Sequence, residues 1–143
     1  MRWGDTSVDT FRFLHFQVYK DSKVFFTDCI QLTQTFPRPF WELADQLRRA
    51  ALSVCLNIAE GAAKYSDKDF KRHIDIALGS INESFACLDI ACENKLISNT
   101  QLTKEKELSE SVAKPPLLSC RRIFGGLVTT RPISVCFTIN HGQ

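Results

Sequence analysis

The sequence contains no apolar run near the ~18–20 residues that a membrane-spanning helix needs, so no bilayer span is expected. Nor does it open with the charged-then-apolar pattern of a secretory signal. Its six cysteines form no C-x-x-C pair, and most fall on apolar stripes. A secreted disulfide framework is usually denser, shorter and preceded by a signal. Reduced, mostly buried thiols in a cytoplasmic protein are therefore expected. The Glu-x-x-His pattern of di-metal bundles is missing. His15 and His73 have no carboxylate–cysteine pattern around them, so neither a metal nor a cofactor is expected. No nucleophile and base stand in a catalytic pattern, which argues against an enzyme.

One-sided charge is also lacking. A net charge of +2 gives no whole-protein field for gathering nucleic acid. The distribution is less even, because residues 1–110 hold 14 Lys+Arg against 16 Asp+Glu. Beyond them Lys114, Arg121, Arg122 and Arg131 are accompanied by no acid. A hydrophobic share of 44% in 143 residues is ordinary for a globular chain and suffices for one core.

What is present is helical periodicity. From Phe40 to Gly61, Leu43, Ala44, Leu47, Ala50, Ala51, Val54, Cys55 and Ile58 fall within an arc of roughly 140° at about 100° per residue. That is a core-facing stripe of ordinary width. Leu52 and Leu56 break the pattern, lying among polar residues near Arg48 and Arg49. Gly61 is expected to end the helix in a left-handed conformation.

Before this helix, Leu14, Val18, Phe25, Cys29 and Leu32 share one face of a helix expected over 11–35. Phe36-Pro37-Arg38-Pro39 ends it, since proline removes a donor and disfavours helix in the preceding residue. A third helix is expected over 67–93, with Ser66 as N-cap and Asp69 reaching back. Its stripe contains Phe70, Ile74, Ala77, Leu78, Ile81, Phe85, Leu88 and Cys92. Gly79 in its middle implies a close approach by another backbone, because a mid-helix glycine otherwise costs ~1 kcal/mol relative to Ala. Asn99 and Thr100 offer a cap for a fourth helix, whose only large apolar residues are Leu102, Leu108 and Val112. Pro115-Pro116 stops it early.

The fold class that follows is all-α: an antiparallel up-down four-helix bundle with a shortened fourth helix, over 11–114. A loose leader, 1–10, precedes it. The tail, 115–143, is expected to be irregular or strand-like, since Ile133, Val135, Phe137 and Ile139 alternate with polar or small residues.

Two long motifs, QLRRAALSVCLNIAEG (46–61) and SDKDFKRHIDIALGSINES (66–84), resemble those of the four-helix-bundle family encoded in 23S rRNA intervening sequences. Arg48-Arg49-Ala50-Ala51, Asn57-Ile58-Ala59-Glu60-Gly61 and Ile76-Ala77-Leu78-Gly79-Ser80 stand in register with the family pattern. The resemblance covers roughly 13–112. Cys55-Leu56 departs from it, standing where the family often has proline and a small residue. The family is similar in fold to the accessory protein of diversity-generating retroelements, which assembles as a ring of five and works with a reverse transcriptase and nucleic acid. The resemblance therefore implies a non-enzymatic, self-associating bundle, with RNA or DNA as a candidate ligand. A protein adaptor, for example for a reverse transcriptase, is the alternative.

On the residues themselves, Leu52, Leu56, Asn57 and Glu60 are the expected oligomer interface. The expected nucleic-acid contacts are Arg48, Arg49, Lys68 and Arg72. Each has a plainer reading. Asp45 precedes Arg48 and Arg49 by three and four positions and suits ion pairing. Asp67, Asp69 and Asp75 interleave with the second basic group. Asn57 and Glu60 also suit a simple exposed pair.

Overall fold

The computed structural model describes residues 11–113. Its main helices are α1 (Gln17–Thr33), α2 (Trp41–Ala62), α3 (Asp67–Glu93) and α4 (Asn99–Val112). They pack as an up-down bundle in which α2 lies most extensively against α3, while α4 closes the side between α3 and α1. No strand occurs among the described residues. Nor is any helix among them long and apolar enough to cross a membrane. The expected leader and the strand-like tail lie outside the described residues.

The first helix differs from expectation. Arg12–His15 form a short 3-10 turn, Phe16 is extended at φ −70° and ψ 128°, and α1 starts only at Gln17. The break has a packing reason. Residues 16 and 18 would stand about 200° apart on a continuous helix, yet Phe16 and Val18 are both buried in the same core cluster. Leu14, expected on the core stripe, is turned out by the break and is exposed. Phe13 closes the turn edge-to-face on Tyr19, with ring centroids 5.0 Å apart.

Two apolar clusters divide the interior. One joins Phe16, Val54, Ile58, Phe70, Ile74 and Val112, and the other joins Phe25, Cys29, Leu47, Leu88 and Ile97. Burying each large side chain contributes ~1.5–3 kcal/mol. The predicted stripes of α2 and α3 thus face inward, with Leu43, Leu78, Phe85 and Cys92 at their half-buried edges. Cys29, Cys55, Cys87 and Cys92 are free thiols, the first three buried.

Both glycine expectations need correction. Gly61 is inside α2, which runs one residue further, and no described glycine has positive φ. A Cβ at Gly61 would stand 3.2 Å from the Cβ of His73 and 3.6 Å from the Phe70 ring. Closeness of α3, not chain reversal, is what this glycine permits. Gly79 has nothing within 4 Å of an added Cβ, so no neighbour approaches there. Its neighbour Ser80 is the residue at the helix seam.

The caps also differ in part. Ser66 accepts from the Asp69 amide at 3.1 Å, as expected, but its hydroxyl donates to the Asp69 carboxylate. At α4 the N-cap is Ser98, not Asn99 or Thr100, and it forms a reciprocal capping box with Gln101. The α3–α4 turn is closed by Lys95 at φ 60°. Leu96 N–H donates to Ala91 C=O and Lys95 N–H to Cys92 C=O, a Schellman closure.

Candidate functional site: the outer face of α2 and its seam with α3

The α2–α3 hairpin has a fixed register. Gln46 meets Glu83, Ser53 meets Ser80 at 2.8 Å, and Asn57 meets His73 at 3.0 Å. Ser80, Ser53, Asn57 and His73 form one hydrogen-bonded run along the seam. Asn57 Nδ2 donates to the Ser53 carbonyl at 2.9 Å and reaches Ser53 Oγ at 3.2 Å. That leaves Asn57 Oδ1 as acceptor, so His73 Nδ1 carries the proton, and Glu60 lies 3.5 Å from the same nitrogen. The serines hydrogen-bond each other and the histidine bonds the amide, so no serine is paired with the imidazole. The run joins two helices and fixes their spacing.

Asn57 and Glu60 are therefore engaged within the chain, Asn57 half-buried and Glu60 exposed. Leu52 and Leu56 are where the sequence placed them, on the outward side, 40% and 51% exposed. Ile76 of α3, at 40%, stands level with that part of α2 in the hairpin register. This apolar strip is bordered by exposed Asp45, Arg49 and Glu60.

The four basic residues are not gathered. Arg48 Nη1 is 3.1 Å from Asp45 Oδ1, and its Nε donates to Thr33 Oγ1 of α1 at 2.9 Å. Arg49 donates to Gln46 Oε1 at 2.9 Å. Its ion pair with Asp45, one of the plainer readings, does not form. Lys68 and Arg72 are exposed. Arg72 stands at about the level of residue 58 on α2, roughly 13 Å along the axis from Arg49 at 1.5 Å per residue.

Reactive groups are scarce near this face. Burial pushes the thiols of Cys29, Cys55 and Cys87 up from their ordinary range, which disfavours the nucleophilic thiolate. Among the described residues no group of three or more His, Cys, Asp or Glu is arranged to hold a metal ion.

Sequence reasoning missed His73 and the serine pair. A signal existed, since residues at equal distance from a helix hairpin's turn meet, and positions 57 and 73 flank residue 65 symmetrically. It also missed Glu105, a buried carboxylate of α4. There the spacing 102, 105, 109, 112 continues the apolar stripe through two polar residues.

Four antiparallel helices around two stacked apolar clusters, with a polar run along one seam, define a small helical-bundle protein. Within that class the chain belongs to the 23S rRNA-intervening sequence protein family, whose model matches residues 15–115. No curated protein matches the chain.

Proposed function

We propose that this protein is a non-enzymatic assembly protein that associates with copies of itself through the outer face of α2. The observation that carries the reading is the exposure of Leu52 and Leu56 in line with Ile76. With about half of each side chain left to bury, the two leucines supply ~1 kcal/mol apiece. Association costs at least ~4 kcal/mol in lost freedom, so the interface must extend past them across Ile76. The bordering charges favour a second copy as occupant. Asp45, Arg49 and Glu60 put both signs on one face, so the face holds groups complementary to its own. The Asn57–His73 run supports it differently, by holding α2 and α3 in one rigid platform.

RNA or DNA contact is the second reading, favoured by Lys68 and Arg72. Both are exposed and have no partner among the described residues. Arg48 and Arg49 contribute less to it, being committed to Asp45, Thr33 and Gln46.

The test of self-association is the mass in solution of the wild type and of the Leu52→Glu, Leu56→Glu double variant. A monomeric wild type removes the reading and leaves the face to the adaptor alternative, a different protein partner such as a reverse transcriptase.

A further inference from the structure

On the opposite side of the bundle α1 and α4 flank a cavity of about 280 Å³ that opens to solvent. Its walls include Asp28, Gln31 and Thr35 from α1 and the adjoining turn, and Lys104 and Glu105 from α4. Glu105 is 2% exposed, and its Oε2 has no hydrogen-bond partner among the described residues. An unpartnered buried carboxylate oxygen costs free energy unless something satisfies it. The second carboxylate, Asp28, is largely buried and is held by Lys104 Nζ at 2.7 Å. Lys104 itself is mostly exposed, so its ammonium can leave toward solvent. On the rim, the Thr35 hydroxyl donates to Leu32 C=O and keeps its lone pairs for a donor.

We propose that this cavity binds the guanidinium or primary ammonium group of a small organic cation, with the Glu105 carboxylate as first acceptor and Asp28 as second. Lys104 occupies the Asp28 side of the site in the free protein and is displaced by the ligand. The donor set selects against a hard metal ion. Calcium takes six to eight oxygen ligands, whereas two carboxylates, one already neutralised by a lysine, match the parallel donors of one guanidinium. The volume admits a small molecule and not a large ligand.

Binding is linked to protons. Burial first, then Asp28, pushes the Glu105 carboxyl up to about 7, and Lys104 opposes the shift. Cys29 of α1 is the other titratable neighbour, and the same carboxylate helps raise its thiol. The cation requires ionised Glu105, so affinity rises as pH rises through 7 and binding below that releases a proton.

The experiment is calorimetric titration of the full chain with agmatine, which carries both cationic groups, with spermidine, calcium chloride and an end-capped single-arginine peptide as comparison arms. Agmatine is expected to bind more tightly at pH 8 than at pH 6. Glu105→Gln should weaken it at least about tenfold, the scale of one lost charge-assisted hydrogen bond. Lys104→Gln should tighten it about twofold to fivefold by removing the internal competitor. That gain cannot come from misfolding, so it keeps the test decisive where Glu105→Gln disturbs the helix. The proposal is overturned by no heat with agmatine or spermidine, by agmatine affinity indifferent to both substitutions, by preference for calcium, or by binding of the arginine peptide alone.

Discussion

Replacing Glu105 with Gln keeps the shape of the side chain and removes its charge. The wild-type carboxyl titrates at about 7 in the folded chain, against an ordinary value of 4.5. Between those two values the folded chain retains a proton that the unfolded chain has lost. Wild-type stability therefore falls as pH rises from about 4.5 to about 7, and this contribution is constant above that. At about 1.4 kcal/mol per unit the full gap corresponds to ~3 kcal/mol. The cavity opens to solvent, which screens the charge, so ~1–2 kcal/mol is the expected effect. Urea denaturation followed by circular dichroism at pH 5 and pH 8 measures it. Any cost of burying the new amide is the same at both pH values and cancels. The variant should gain ~1–2 kcal/mol on the wild type between pH 5 and pH 8. An unchanged difference, or a wild type that gains on the variant as pH rises, would show that the carboxylate has a partner and refute the reasoning.

Three further substitutions test separate parts of the structure. Lys95→Gly relieves a left-handed backbone that a side chain adopts at a cost, and should raise stability by ~0.5–1 kcal/mol in a thermal melt. Gly61→Val forces bulk against His73 and Phe70, and should destabilise by ~1–3 kcal/mol; a neutral result would mean α3 yields there at no cost. If nucleic acid binds, Lys68→Gln with Arg72→Gln should weaken it across all sequences and flatten its salt dependence, while Arg48→Gln with Arg49→Gln changes it less. The opposite ranking in a filter-binding or anisotropy titration assigns the phosphates to α2.

The inward stripes of α2 and α3 were legible because each is long and strictly periodic, so every turn repeats the same information. Leu52 and Leu56 were legible for the complementary reason, as violations of that period. The break at Phe16 was not, since it depends on what fills the space beside Val18, a tertiary requirement with no local mark. The end of α3 at Glu93 was legible, but its closure by Lys95 was not, because the left-handed position usually announces itself with glycine. Gly61 and Gly79 misled in opposite ways, since a glycine's sequence position does not say whether its missing side chain faces a neighbour. Thr33 beside Arg48, His73 beside Asn57 and Asp28 beside Glu105 all come from other helices. Only the packed register reveals that Arg48 is spent on Thr33, or that Glu105 lies beside Asp28.

Self-association through the α2 face is the central claim, and light scattering coupled to size exclusion tests it most directly. The wild type should elute with a mass that is a multiple of the 16.3 kDa chain. The Leu52→Glu, Leu56→Glu variant should keep its helical circular dichroism and fall to the mass of one chain. A wild type already at 16.3 kDa, or a double variant that stays assembled, contradicts the account.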